Sequence, residues 1–222
     1  VAFCPQSPLV LPSVSGLPGP ALPLLRAAVA AAVQTVLEAG PEVVVVVGDG
    51  VDGVRFGPGD AGDLRGLGVD LEQPFAGRVR PGGRRIPLPH VLGAWLLDQA
   101  GHTGSRLGVG PADLGAALSD VSGAVGVLAM GDGSARRSEK APGALDPAAG
   151  SFDAAVAGAL AAGDAGALAA LDPVEGDRLL AAGVPVWRAV GAALADRPLA
   201  AELLYDDAPF GVGYLVGTWR DR

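Results

Sequence analysis

The clearest hydrophobic pattern in the chain is Pro41 to Gly53, PEVVVVVGDGVDG. Five consecutive valines fit a strand buried on both faces, and β-branched side chains suit a crowded pleated sheet. The glycines and aspartates that follow fit a loop at the carboxyl edge of that sheet, where open α/β sheets bind their ligands. Val1 to Leu11 predicts a short apolar strand. Pro5 and Pro8 end it and fix a loop that carries Cys4, Gln6 and Ser7. Pro20 to Ala39 predicts a helix, with Leu25, Val29, Val33, Val36 and Leu37 at helical spacing and a stop at Gly40-Pro41. These three segments make a β-α-β unit of right-handed crossover.

Val51 to Arg85 reads as irregular, with a short extended piece at Val54 to Phe56. Within it, VRPGGRR is a basic turn. Arg84 and Arg85 there suit a phosphate or carboxylate, or simply balance an acidic chain in solvent. Pro87 to Ala100 predicts a helix with Val91, Leu92, Trp95 and Leu96 on one face. His90 and His102 flank it without a metal-like spacing. Pro111 to Ser119 reads as a short helix, and Ala124 to Met130 as a buried strand running into Gly131-Asp132-Gly133-Ser134. A polar connection, Arg136 to Gly150, follows. Helices are expected over Phe152 to Ala161, capped by Ser151, and over Ala165 to Leu171, Pro173 to Ala182 and Val186 to Ala195. Glu202 to Trp219 closes the sheet, extended at Leu203 to Tyr205 and Val212 to Val216 around a turn at Asp206 to Phe210; most of its aromatic rings read as core. The fold class is α/β. A single three-layer α/β/α domain over residues 1–222 is expected, with a mostly parallel central sheet and a hairpin-like C-terminal sheet segment.

Composition narrows the partners. Half of the 222 residues are apolar, enough for one substantial core. A formal net charge of -8 disfavours nucleic acid and anionic membrane surfaces. The single cysteine, Cys4, excludes an internal disulfide and fits the cytoplasm. The apolar run Leu22 to Leu37 carries Arg26 and Gln34 and is short for a membrane span. A small-molecule ligand remains as a partner. So does a homodimer or a partner subunit docked on the alanine-rich helices.

The candidate chemistry is sparse. Gly48-x-Gly50-x-x-Gly53 has dinucleotide-binding spacing, but Val54 to Gly62 does not read as the helix that the mechanism needs. Neither a Gly-Lys-Ser phosphate loop nor a Gly-x-Ser-x-Gly elbow occurs. Asp49, Asp52, Asp132, Glu202, Asp206 and Asp207 are carboxylates able to approach one sheet edge, a donor type that suits magnesium or calcium. Aspartates also simply form loops. Asp132 is expected to be exposed, and therefore a weak base at neutral pH.

The order of segments resembles the class III extradiol ring-cleavage dioxygenase superfamily, in its catalytic-subunit-like branch and in the manner of small actinobacterial members. The resemblance rests on Phe3 to Pro8, Pro41 to Asp49, Met130 to Ala135, Phe152-Asp153 with the helices after it, and Tyr205 to Tyr214. It implies ferrous iron held by two histidines and a carboxylate, with a further histidine as acid or base. The first ligand position falls on Gln6, and the second on the Gly48 to Gly53 loop with Asp49 and Asp52. The acid-base position falls on Ala135, after Asp132 and Ser134. Glu202 stands nearest to the carboxylate ligand and Asp206 next. All three histidines are absent, so Fe(2+) is implied by the resemblance alone and no cofactor is expected. The expectation is an inactive member of that fold, a small-molecule-binding or partner protein, whose cleft is walled by Gln6, Asp49, Asp52, Asp132, Ser134, Ala135, Glu202 and Asp206. An extradiol dioxygenase with an altered site, or a divalent-metal enzyme using carboxylates, is the alternative.

Overall fold

The computed structural model describes residues 1–14, 21–50 and 52–222. Pro20, where a helix start is expected, and the loop residue Val51 lie outside the described residues. The strands are β1 (Ala2–Cys4), β2 (Val43–Val47), β3 (Ala61–Asp63), β4 (Glu72–Pro74), β5 (Ser105–Val109), β6 (Val125–Met130), β7 (Leu199–Asp207) and β8 (Tyr214–Asp221). The α-helices are α1 (Ala21–Glu38), α2 (Leu88–Gln99), α3 (Leu114–Asp120), α4 (Ala149–Ala162), α5 (Ala165–Ala169), α6 (Pro173–Arg178) and α7 (Val184–Leu194). Among the described residues the main sheet has the order β5-β2-β6-β1-β8-β7. Its pairs β5–β2, β2–β6 and β6–β1 are parallel, and β8 and β7 close it as an antiparallel hairpin. The expected mostly parallel sheet with a hairpin-like end is therefore present.

The valines of β2 show why the run is continuous. Val44 and Val46 join the core beneath α1 and α2, while Val45 and Val47 join the core on the other face, with α3, α4 and α7. A strand with helices on both sides has no face left for polar residues. Leu22, Leu25, Val29, Ala32, Val33 and Val36 form the buried stripe of α1. By length and composition α1 is apolar enough to cross a membrane, and 33% of that stretch is buried inside the fold.

Several local expectations are corrected. β5 was not expected, because Arg106 and Gly108 interrupt its apolar run. Arg106 is nevertheless nearly buried. Its guanidinium donates to the carbonyls of Phe75, Ala94 and His102 and pairs with Asp98 at 2.7 Å. The strand thus hides a charge by feeding it acceptors. The extended piece at Val54 to Phe56 does reach the sheet, since Phe56 and Gly108 exchange backbone hydrogen bonds of 2.8 and 2.9 Å. The segment read as irregular also contains the antiparallel pair β3–β4. Arg84 pairs there with Asp60 at 3.0 Å and Arg85 with Asp63 at 3.4 Å; both guanidiniums stay largely exposed, balancing acidic neighbours in solvent. Ser151 does not cap α4; it lies inside the first turn and its hydroxyl donates to Ala148 O. The helix expected to reach Ala182 stops at Arg178, just before Leu180 adopts a φ of 54°. Asp206 and Asp207 belong to β7 rather than to the turn, and β7 carries a register shift between Leu203 and Tyr205.

Candidate functional site

The parallel strands β1, β2 and β6 end at one edge, where residues 5–7, 48–50 and 131–135 follow them. Asp132, two residues past β6, reaches across to the loop after β1. Its Oδ1 accepts the Gln6 amide at 3.0 Å, and the Ser7 amide also donates to the carboxyl. Burial dominates over those two donors and pushes the Asp132 pKa up to about 7. The expected exposed, weakly basic aspartate is therefore corrected to a partly buried one whose carboxyl holds its proton more tightly than a solvated aspartate.

Ser7 fixes the same corner twice. Its Oγ accepts from Leu9 N at 3.4 Å, which starts the 3-10 turn Pro8–Val10, and it shares a 3.4 Å hydrogen bond with Tyr214 Oη. Tyr214 opens β8, and the antiparallel register Phe3↔Gly217 brings that end of β8 beside the exit of β1. Burial raises the Tyr214 phenol, the Ser7 bond pulls it back, and the Asp132 charge raises it further. Tyr205 pairs with Val216, and Asp207 pairs with Tyr214. Cross-strand partners share a face, and so do alternate residues of one strand. Tyr205 therefore stands one row from Tyr214 on the α1 face. Two polar atoms of this corner, Gln6 Oε1 and Tyr205 Oη, are buried without a hydrogen-bond partner among the described residues.

The other expected wall residues do not assemble here. Asp49 and Asp52 are exposed, and it is Asp113 whose carboxylate holds the Gly53 amide at 2.7 Å. Ser134 is fully buried and cannot line a cleft. Its hydroxyl donates to Leu179 O at 2.7 Å and accepts from Arg136 N, while its amide donates to Asp153 Oδ1 at 2.8 Å. Ala135 is bound through its backbone to Leu180 O and Gly143 N. Glu202 is paired with Thr218, which stands opposite Ala2, so it lies at the amino end of β1 and away from the loops. The antiparallel course of β7 causes this: its late residues reach the carboxyl edge and its early ones do not. Asp206 is exposed at the right end of β7, but its charge acts on Asp153. Of the expected cleft, Gln6 and Asp132 come together. Ser7 was named with the loop after the first strand; Tyr205 and Tyr214 were missed as site residues, because tyrosines in an apolar hairpin read as core.

These donors do not fit iron. Among the described residues no group of three His, Cys, Asp or Glu is placed to hold a metal ion. His90 is fully buried, its Nε2 3.0 Å from Val109 O and its ring edge-on to Phe56. The Cys4 thiol is enclosed and pushed by burial up to about 12, far from a thiolate ligand. Nor does any helix begin in the described part of Gly48–Gly53, where the glycine motif would need one. Two open clefts lie elsewhere. One, of about 670 Å³, is at the amino end of the sheet with Arg197 and Asp221 at its rim; the other, of about 540 Å³, runs between α1 and α2 past Val33 and Trp95. Neither reaches Asp132. No protein-family model matches this chain, and no curated protein matches it.

Proposed function

We propose that the chain is a small-molecule-binding protein built on a class III extradiol dioxygenase-like fold, without ring-cleavage activity, working in the cytoplasm. The observation that carries the reading is the corner of Gln6, Ser7, Asp132, Tyr205 and Tyr214. Unpaired polar atoms inside a fold are costly, and here two of them stand at the sheet edge where such folds take ligands. The position that the resemblance assigns to the first iron ligand is occupied by an amide, and the acid-base position by Ala135. Gln6 offers a neutral oxygen in place of an imidazole, and a methyl group moves no proton.

Met130 is the chain's only methionine, is fully buried, and ends β6 two residues before Asp132. A protein labelled with [methyl-13C]methionine therefore gives one resonance that reports on this corner. A set of cationic, neutral and anionic fragments should include members that move it saturably. Oxygen uptake with catechol, protocatechuate or gallate should stay at background when ferrous iron is supplied. A Met130 line indifferent to the whole set would defeat the binding reading. A ring-opened product seen by mass spectrometry would restore the dioxygenase.

A further inference from the structure

The end of α6 places a leucine where a glycine is the stable choice. The Leu180 amide donates to Asp177 O at 3.1 Å and the Ala181 amide to Gly176 O at 2.9 Å, which closes the helix around Leu180 at a φ of 54°. Helices that end this way usually set a glycine there, because a Cβ crowds the left-handed backbone. Among the described residues ten glycines take a positive φ, and the other two residues that do are Leu180 and Ala144. The leucine is not kept for the core, since it is 44% exposed. It lies over Gly143, where an added Cβ would fall 2.5 Å from Leu180 Cδ1. Two more apolar side chains stand in solvent beside it, Leu145 at 51% and Val174 at 74% exposed. Leu145 precedes Asp146, whose carboxylate pairs with Arg178 of α6. Val174 lies one turn before Arg178 on the same helix face. Three of the six large apolar side chains exposed among the described residues therefore share one surface.

Charge sets this surface apart as well. The chain carries a net charge of -8, whereas residues 135–148 and 173–182 together hold four basic and four acidic side chains. Copies of an acidic molecule repel one another over most of their surface, and here they do not. We propose that the surface centred on Leu180, with Leu145 and Val174, is where a second copy of the chain docks to form a weak two-fold dimer. In a two-fold contact each patch meets itself, so an apolar centre with a balanced rim is self-complementary. Three anchors inside a polar rim fit the small end of protein interfaces, with a dissociation constant on the order of 0.1 mM. The contact adjoins the candidate corner from behind. Leu180 O accepts the Ala135 amide at 3.3 Å, and Asp132 O accepts the Gly183 amide at 2.7 Å. A docked copy therefore rests on the segment that supports the loop after β6. The proposal holds whether or not that corner takes a ligand.

The test is sedimentation velocity of the full chain from about 10 µM to about 1 mM. The parent should pass from monomer to dimer within that range, and associate more tightly at high salt, which screens the remaining repulsion between two acidic copies. Val174→Asp puts a charge on a side chain already in solvent. It should leave the urea midpoint in place and weaken dimerisation on the order of tenfold. Leu180→Gly relieves the backbone and removes the central anchor. It should unfold at the parent's urea midpoint or above it, and stay monomeric throughout. A leucine kept only for the fold would give the opposite pairing, a lower midpoint with the dimer retained. Leu67→Asp adds the same charge on another exposed apolar side chain, and should dimerise as the parent does. Should Leu180→Gly fold poorly, the contrast between Val174→Asp and Leu67→Asp decides. A parent that stays monomeric over the whole range would give the surface to a different protein and overturn the proposal. So would a dimer that Val174→Asp retains in full, or one that Leu67→Asp weakens equally.

Discussion

His90 is fully buried and Asp132 partly so, and their pKa values are displaced in opposite directions. Burial lowers His90 from 6.5 to about 4, with the Val109 carbonyl and the Asp49 charge pulling the other way. The unfolded chain therefore takes up this proton first as pH falls. Stability owed to neutral His90 is complete above about 6.5 and is lost between there and about 4. At about 1.4 kcal/mol per unit, the loss is about 3 kcal/mol. Asp132 behaves in reverse, since its folded pKa is raised. Its contribution is complete below its unfolded value near 3.8 and disappears as pH rises through about 7. Across pH 4 to 7 these two slopes oppose each other and partly cancel in the parent protein. His90→Phe should unmask a stability that falls as pH rises. Asp132→Asn should unmask one that falls as pH is lowered. Urea midpoints from pH 4.5 to 8 would measure both; parallel profiles for parent and variants would contradict the assignment.

Among the elements, α2 meets β2 without a side chain between them at Gly93. A Cβ added there would fall well inside contact distance of Val46 Cγ1. Valine is stiff about χ1 and cannot turn away cheaply. Glycine inside a helix ordinarily sacrifices about 1 kcal/mol relative to alanine, but overpacking costs about 1–3 kcal/mol. Gly93→Ala should therefore lower stability. Gly158→Ala in α4, where a Cβ meets nothing within 4 Å, should raise it by up to about 1 kcal/mol. Thermal or urea unfolding of the pair would decide; the same sign for both would refute the packing argument. The contrast also marks what could be read in advance. β2 announces itself because every residue is apolar and β-branched. β5 does not, because what makes Ser105–Val109 a strand is remote: Gly108 leaves room for Phe56 and Phe75, and Arg106 finds its carbonyls on Phe75, Ala94 and His102. No local pattern encodes those partners.

At the scale of the whole molecule, Asp153 of α4 holds the loop after β6 against the start of β8. Its carboxylate takes the Ser134 amide at 2.8 Å and the Arg137 guanidinium at 2.7 Å, while Gly133 N donates to Gly213 O at 2.7 Å. Gly133 and Gly213 leave space for that carboxylate. Asp153→Ala would strand a buried amide and a largely enclosed guanidinium, and should lower stability by about 3–5 kcal/mol. A urea midpoint within error of the parent's would show that the junction is dispensable. This junction explains how the sequence misled about Ser134: it was read as part of a cleft wall, yet it is buried and its partners lie on α4 and beside Leu179 and Arg136. The part of the site carried by one segment at a time, Gln6 after β1 and Asp132 after β6, was legible. The part that depends on how the hairpin folds back, Tyr205 and Tyr214, was not.

The outermost strand has a role of a different kind. Among the described residues β7 has a neighbour on one side only, β8, and so presents a row of unpaired amides and carbonyls to solvent. A bare rim of this sort is a template on which another chain can add a strand, and the growth has no natural end. β7 carries the usual deterrents: an irregular step between Leu203 and Tyr205, and the exposed carboxylates Glu202, Asp206 and Asp207. Two copies laid rim to rim would set like charges against each other. Glu202, a poor candidate for a metal ligand, thus acts as a guard against fibril-like growth. The double variant Glu202→Val, Asp206→Val should fold as the parent does and then scatter light progressively at neutral pH. A solution of it that stays monodisperse over the same period would remove the charges from that role.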